Sequence, residues 1–508
     1  MSKYDYSKLQ NGSDIRGVAL DGVPGETVNL DGEAAGRLAR GFLFWLSQKS
    51  GKEPSALTVS IGRDPRLSGE TLTDAFCQAL RPYGCRLLNA GLASTPAMFM
   101  STIFEEYQCD GAVMITASHL PWNRNGMKFF SRDGGLDKGD ITDIITFAES
   151  DSILNSIRPS APGEVEEIPL LDTYAAHLRS LIIEGAAMGE TPLSGMKITV
   201  DAGNGSGGFY ADKVLAPLGA DVSSSQFLTP DGNFPNHAPN PEDKKAMEAI
   251  CGQVKSRGSD LGLIFDTDVD RSSAVDENGR EINRNGIVAM AAALIADQFP
   301  GTTVVTDSIT SNQLTAFLED RLGLRHLRYK RGYRNVINKS IELNAAGTDS
   351  QLAIETSGHA AYKENYFLDD GAYLATKVVI RAAKLFKEGK PISSVIAGLE
   401  EPAESIELRF PILAPDFGAY GDEVLEYLRV LAGSGQLKGA ALAEPNYEGV
   451  RIDFRTPTLQ GWLLLRKSLH DPIMPLNIES DTVGGTDEIR RLLKPLLAGF
   501  DQLDSSKL

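Results

Sequence analysis

Gly111-Ala-Val-Met-Ile-Thr-Ala-Ser-His-Leu-Pro-Trp-Asn-Arg-Asn-Gly-Met-Lys128 is the stretch on which fold and chemistry turn. Its apolar run, Ala112–Ile115, reads as a short strand buried on both faces, because such strands show continuous rather than alternating apolarity. The run stops in a polar turn carrying Ser118 and His119. Pro121 and the Asn125-Gly126 pair then mark an irregular loop that leads to Lys128. A serine hydroxyl is a useful nucleophile only beside a base, a metal or a strong positive field. Without one of these, a loop serine does no more than make a turn hydrogen bond.

Two further strands end in the same manner. Leu261–Phe265 discharges into Asp266-Thr-Asp-Val-Asp-Arg271, and Gln351–Ile354 into Glu355-Thr-Ser-Gly-His359. Open α/β sheets bind ligands beyond the carboxyl ends of their strands, so three such ends converging on one cleft predict an enzyme. Asp266, Asp268 and Asp270 alternate, which in an extended segment points all three side chains to one side. Carboxylates so close repel unless a cation sits among them, and an all-oxygen set suits Mg²⁺. The plain alternative is a solvated acidic turn. An aspartyl-phosphatase pattern is disfavoured, since its fifth position would be Thr or Val and here is Asp270. Glu355, Ser357 and His359 suit sugar hydroxyls, although His359 reads equally well as a satisfied structural histidine. Arg466, Lys467 and Ser468, in a turn after a strand at 461–466, suit a phosphate. Arg451 and Lys467 read equally as solvated surface charges.

The 508 residues predict three or four domains, and four segments emerge: 1–188, 189–300, 301–403 and 404–508. The first contains a strand over Leu57–Ile61, a helix over Thr71–Leu80 and a strand over Arg86–Leu88. Gly, Pro and Ser density at 189–196 predicts a linker. The glycines of Asp201-Ala-Gly-Asn-Gly-Ser-Gly-Gly208, after a strand at Lys197–Val200, loosely match a dinucleotide fingerprint. They read instead as a tight strand-to-helix turn, because no acidic residue closes a following strand at the required distance. A strand at Thr303–Thr306 opens the third segment; strands at 449–454 and 461–466 and a helix over about 486–498 mark the fourth.

Hydrophobic content of 42% and charged content of 23% are ordinary for soluble globular chains. No apolar run approaches the roughly 18 residues of a membrane span. The first residues lack an apolar signal region, and four cysteines without metal or redox spacing read as reduced, so a cytoplasmic protein is expected. A formal charge of −18 disfavours nonspecific nucleic-acid or anionic-membrane binding. An anionic small substrate then requires positive charge gathered locally.

The four loops, in this order, resemble those of the α-D-phosphohexomutase superfamily. Thr116-Ala-Ser-His119 with Asn125, Gly126 and Lys128 is similar to its phosphoserine loop, and Asp266–Arg271 to its metal loop. Glu355–His359 is similar to the sugar-binding loop and Arg466–Pro472 to the phosphate-binding loop. Asp14-Ile-Arg-Gly17, Gly62-Arg-Asp-Pro-Arg66, Phe234-Pro-Asn-His-Ala-Pro-Asn-Pro241 and Arg331-Gly-Tyr-Arg334 are lesser matches. The resemblance implies three topologically similar α/β mixed-sheet domains and a C-terminal α+β domain around a central cleft. It implies a catalytic set of Ser118, His119, Lys128 and Arg16, with Mg²⁺ held by Ser118, Asp266, Asp268 and Asp270. Arg271, Arg334, Glu355, Ser357 and His359 would bind the sugar; Arg466, Lys467, Ser468 and His470 its phosphate. The implied reaction interconverts hexose 1- and 6-phosphates through a hexose 1,6-bisphosphate, which also serves as activator, in a monomer or dimer.

Two departures stand out. Thr267 and Val269 occupy positions where the family's metal loop usually has glycines; branched residues resist positive φ, which predicts a more extended loop. Leu469, His470 and Asp471 replace the usual Gly, Thr and Glu of the phosphate loop. A weakened grip there would let the bisphosphate escape, making a hexose 1,6-bisphosphate synthase the alternative activity. A non-catalytic sugar-phosphate sensor is a third reading.

Overall fold

In the computed structural model, which describes residues 5–437, 439–468 and 471–508, the organising strand runs Gly111–Ile115 with every residue buried. It lies inside a mixed sheet. Thr58–Arg63 runs parallel beside it, followed outward by parallel Arg86–Leu92 and Val165–Glu167. On its other side Arg124–Ser131 runs antiparallel, and Asp14–Val18 pairs antiparallel with that strand. Burial on both faces explains the continuous apolarity. The helix Gly32–Ser50 brings Leu38, Phe42 and Leu46 onto the sheet, its first turn capped by the Asp31 carboxylate accepting from Ala34 N–H. The helix Gly69–Leu80 begins two residues ahead of the predicted start.

The chain divides into two compact units: residues up to Leu294 with Ser357–Val395, and Ile295–Thr356 with Ile396–Leu508. The first unit also holds a four-stranded mixed sheet. Ile198–Asp201 runs parallel to Leu261–Phe265, which pairs antiparallel with Ser272–Val275, and Glu281–Ile282 closes the edge. A hairpin, Ala360–Tyr362 with Leu368–Asp369, leads into the helix Gly371–Lys387. The stretch 189–196 is not the free linker expected from its composition. Leu193 is fully buried, Met196 nearly so, and Leu193 N–H donates to Leu218 O at 3.1 Å. Apolar anchors at those two positions outweigh the surrounding Gly and Pro.

In the second unit, Arg325–Arg328, Thr303–Thr306 and Leu352–Ile354 form a parallel set. The remainder is a five-stranded antiparallel sheet, in the order Glu404–Pro411, Ile473–Ser480, Gln460–Leu465, Val450–Arg455 and Ala440–Leu442. The helices Phe417–Gly433 and Gly485–Leu497 join its core. The architecture is mixed α/β with several mixed sheets and an antiparallel C-terminal portion. Among the described residues, no helix is long and apolar enough to cross a membrane.

Candidate active site

Beyond the strand Gly111–Ile115 the chain turns sharply, and Ser118 takes a left-handed φ of 50°. One arginine imposes that turn. Arg66, 1% exposed, donates through Nη1 to Pro121 O at 2.7 Å and Arg124 O at 3.0 Å. Its Nη2 donates to Leu120 O at 2.6 Å and to Ser118 O, while Nε donates to Asp64 at 3.2 Å. A buried guanidinium thus gathers the carbonyls of the serine loop. Thr116 completes the brace: its Oγ1 donates to Asp64 at 2.6 Å and accepts Ser118 N–H at 2.9 Å. Arg16 donates to Thr116 O at 3.2 Å and to Asp14 at 2.8 Å. Gly126 is required because any Cβ there would sit 2.1 Å from Ile15 O.

The acidic loop is not the extended segment expected from Thr267 and Val269. Val269 is left-handed at φ 68° although it is β-branched and fully buried. Three outside N–H groups hold this shape. Ser206 donates to Thr267 O at 2.8 Å, Thr95 to Asp268 O at 2.8 Å, and Gly371 to Val269 O at 3.1 Å. The glycine-rich turn after Ile198–Asp201, which continues as a short helical segment at Ser206–Gly208, therefore buttresses the acids; a Cβ on Gly205 would lie 2.7 Å from Thr267 O. Such external satisfaction lets a disfavoured φ persist.

The two loops meet at Ser118. Its hydroxyl donates to Asp266 Oδ2 at 3.0 Å and accepts from Arg271 Nη2 at 3.1 Å. His119 Nδ1 lies 3.3 Å from the same oxygen and 2.6 Å from Arg271 Nη2. Burial and then Arg271 push the His119 pKa down to about 3, so a neutral ring accepts from the guanidinium. Lys128 Nζ pairs with Asp270 and, at 3.2 Å, with Asp268, which also accepts from Thr95 Oγ1 at 2.5 Å. Burial first, then the neighbouring Asp270 and Asp268, raise Asp266 well above the usual carboxylate range. Asp270 is lowered: burial opposes this, but Lys128, His359 and Arg271 outweigh it.

The three aspartates offer one oxygen each within 4.8 Å of one another. Asp268 Oδ1 and Asp270 Oδ1 are buried without a hydrogen-bond partner, an arrangement that a hard cation with oxygen ligands would satisfy. His359 Nδ1 lies 2.5 Å from Asp369 Oδ2 and 3.9 Å from Asp270 Oδ1. Although burial opposes it, Asp369 and Asp270 raise the His359 pKa to about 9, so the ring is an imidazolium held between them.

Comparison with known proteins bears on this arrangement. Residues 7–151, 172–279 and 283–402 match the models of phosphoglucomutase/phosphomannomutase alpha/beta/alpha domains I, II and III. The chain belongs to the phosphoglucomutase/phosphomannomutase family. A Phosphoglucomutase/phosphomannomutase of Thermococcus kodakarensis is 30% identical, over 92% of this chain and 93% of that protein. A Phosphomannomutase/phosphoglucomutase of Pseudomonas putida is 29% identical, over 95% and 94%. The crystal structure of a phosphoglucomutase/phosphomannomutase family protein from Burkholderia thailandensis superposes with a TM-score of 0.76 at 25% identity, covering 97% of this chain and 98% of that one. Within the family match, Ser118 falls in domain I, the acidic triplet in domain II and Glu355–His359 in domain III.

The remaining residues expected by family resemblance are less concentrated. In the first unit, the Ser357 hydroxyl is buried without a partner, and Arg271 reaches Asn240 at 3.3 Å and Glu242 at 3.5 Å. In the second, Glu355 accepts from Gly332 N–H at 2.7 Å, and Arg334 stands at the start of the helix Tyr333–Ala345. Arg466 Nε is buried without a partner; burial and then Arg331 lower its pKa. Lys467 is turned toward another helix, pairing with Asp422 at 2.6 Å and Gly418 O at 3.1 Å. Ser468 Oγ accepts Asp471 N–H at 3.3 Å, and His470 lies outside the described residues. Arg451 is no surface charge. It is 3% exposed and stacks 3.7 Å above the Trp462 ring, because Val450–Arg455 is an inner strand, paired on both sides, rather than the solvated edge its charges suggest.

Arg66 and Asp64 had no more than a place in the lesser motif Gly62-Arg-Asp-Pro-Arg66, and no role was assigned to Thr95 or Asp369. Those two act through the fold, with no local pattern to mark them.

Proposed function

We propose that this protein interconverts hexose 1- and 6-phosphates by phosphoryl transfer through Ser118. The observation that carries the reading is a hydroxyl 3.0 Å from Asp266 and 3.1 Å from Arg271, beside a carboxylate trio with two unsatisfied oxygens. Asp266, Asp268 and Asp270, with a phosphoryl oxygen on Ser118, would hold Mg²⁺, which when bound supplies electrostatic stabilisation of the transferring group. Arg271 and Arg16 supply fixed positive charge beside Ser118. In each half-reaction one P–O bond forms as another breaks, and the proton of the attacking hydroxyl is replaced by one delivered to the departing oxygen. Lys128 is the acid–base group for that exchange. Glu355, Ser357, Arg334 and His359 orient the sugar; Arg466, Lys467, Ser468 and His470 grip its second phosphate. In this reading each loop belongs to its own segment of the chain, 1–188, 189–300, 301–403 and 404–508, in a cytoplasmic monomer or dimer.

The committed pairing of Lys467 with Asp422 favours a second reading. A loosened distal phosphate would make the protein a hexose 1,6-bisphosphate synthase, rephosphorylated by another bisphosphate or an activated donor. Each 1.4 kcal/mol of lost grip raises escape about tenfold. Incubation with glucose 1-phosphate and Mg²⁺, with and without catalytic bisphosphate, separates the two. Rapid glucose 6-phosphate formation supports the mutase, and stoichiometric bisphosphate from a second donor supports the synthase. Ser118→Ala should lower either activity by roughly 10⁴-fold or more. Full turnover by Ser118→Ala, with loss in Asp266→Asn, would overturn both in favour of hydrolysis at Asp266. Intact mass without phosphate on Ser118 under any donor would favour the sensor.

A further inference from the structure

A cavity of about 450 Å³ opens in the second unit between the helix Asn312–Ala316 and the strands Arg325–Arg328 and Val450–Arg455. Arg334, Glu355, Arg466, Lys467 and Ser468 are not among the described residues that line it. Two guanidiniums meet in its wall. Arg451 donates to Ser308 O, Thr310 O and Asn312 Oδ1, each at 3.0 Å. Arg328 donates to Ser311 O at 2.7 Å, to Thr310 O and Oγ1, to Thr315 Oγ1 at 2.5 Å, and at 3.2 Å to the same Asn312 Oδ1. Every one of these acceptors is neutral. Arg451 Nε is buried without an acceptor, and the Asp453 carboxylate stands 3.9 Å from it.

Guanidinium stays protonated in proteins, so two of them sharing one amide oxygen leave positive charge that their hydrogen bonds do not neutralise. Burial lowers Arg328 to about 10 and, together with the neighbouring Arg328, holds Arg451 well below its usual range, the direction expected of cations without a hydrogen-bonded anion. One carboxylate, Asp453, forms a long ion pair with Arg451 and also accepts from Asn312 Nδ2 at 3.3 Å, which leaves two cations facing one anion; the other nearby carboxylates are engaged elsewhere. Glu448 is used by Ser308 Oγ and Arg331 N–H, and Glu479 by Trp462 Nε1 at 2.9 Å. Glu319, Asp320 and Glu444 sit exposed at the mouth, where salt screens them. His326 is occupied by the hydroxyls of Thr306 and Thr315, both at 2.8 Å. Tyr329 and Tyr447, with ring centroids 4.9 Å apart, supply an aromatic wall beside the guanidiniums.

We propose that this cavity binds a phosphate monoester carried on a ring, with its phosphate at Arg328 and Arg451 and its ring against Tyr329 and Tyr447. The volume suits a sugar phosphate or a nucleoside monophosphate, and far exceeds what a bare phosphate fills. The site does not use Ser118 or the phosphate loop, so it stands whether or not the proposed transferase reading holds.

The test uses the full chain carrying Arg466→Gln, to silence the phosphate loop, and calorimetry with inorganic phosphate, glucose 6-phosphate and adenosine monophosphate. One equivalent of a ring-bearing ester should bind more tightly than inorganic phosphate. Adding Arg328→Gln should weaken it about tenfold or more, the loss of at least one charge-assisted hydrogen bond. Which ester binds tighter identifies the ring. Equal affinity for all three probes, or affinity indifferent to Arg328→Gln, overturns the proposal. Tungstate soaked into crystals of the unsubstituted protein gives a check independent of that variant's folding: an anomalous peak beside Arg328 and Arg451 is expected, and peaks only elsewhere overturn the site.

Discussion

Replacing Val269 by alanine and by glycine separates two energies that the acidic loop sets against each other. A β-branched residue at φ 68° costs about 1–3 kcal/mol relative to glycine, held in place by three hydrogen bonds from outside the loop. Val269 is also fully buried, so truncation to alanine forfeits roughly 1.5 kcal/mol or more of apolar burial while keeping a Cβ in the left-handed region. Glycine forfeits slightly more surface but removes the Cβ and with it the strain. At an ordinary backbone position alanine is the more stable of the two by about 0.5–1 kcal/mol. Here the order should invert, with Val269→Gly above Val269→Ala by about 1 kcal/mol, or about 2–4 °C in Tm for a domain-sized unit. Thermal unfolding of the three proteins in chelator, followed by far-ultraviolet circular dichroism, measures the difference without metal binding. An alanine variant as stable as the glycine variant, or more so, would refute the left-handed geometry as a source of strain.

Three further outcomes are expected. Arg66→Lys should cost about 3–5 kcal/mol in urea unfolding, because a point charge cannot replace a buried fork serving Asp64 and four carbonyls; a cost below 1 kcal/mol would show that the serine loop holds itself. Burial raises the Glu479 pKa from 4.5 to about 7, so its ionisation is penalised in the folded chain. That contribution is intact below pH 4.5 and is lost as pH rises toward 7, by up to about 3 kcal/mol, and Glu479→Gln should flatten the stability profile across this window. Protein phosphorylated on Ser118 should bind Mn²⁺ at least about tenfold more tightly than the unphosphorylated form, read by paramagnetic resonance of the free ion; equal affinities would separate the serine from the acids.

Much of the fold was legible because its strands are buried on both faces. Leu261–Phe265 and Thr303–Thr306 form over the residues their apolar runs predict, since burial leaves no polar face to blur the ends. The convergence of Ser118 with the acidic triplet was legible as two strand ends, but the reason assigned to the acids was wrong. They gather in a strained turn, not along an extended segment. The tertiary N–H groups of Thr95, Ser206 and Gly371 override the local preference of Val269, and residues so far apart in sequence leave no window in which to read them. Arg451 failed for a related reason. Its burial depends on the segment Ser308–Asn312, more than a hundred positions away, and on Trp462 in the neighbouring strand. The 189–196 stretch misled because composition averages over the two apolar residues that anchor it.

The charges around Ser118 couple the serine to the acids. Unmodified, the site sets Asp266, Asp268 and Asp270 against Lys128, Arg271 and the His359 imidazolium, which is shared with Asp369. Lys128 lies against Asp268 and Asp270, and Arg271 against Asp266, so cations and acids are already committed pairwise. A phosphoryl group on Ser118 would add nearly two negative charges at an oxygen now 3.0 Å from Asp266. Like charges about 4 Å apart repel by about 4 kcal/mol per pair at the effective dielectric of such sites. Arg271, already bonded to Asp266 and held by Asn240, and Arg16, already bonded to Asp14 and Thr116 O, have little left to absorb that. A further cation would meet that charge, and the Oδ1 atoms of Asp268 and Asp270, buried without a hydrogen bond, offer it oxygen ligands. Phosphate on the serine and a divalent ion among the acids would therefore favour each other.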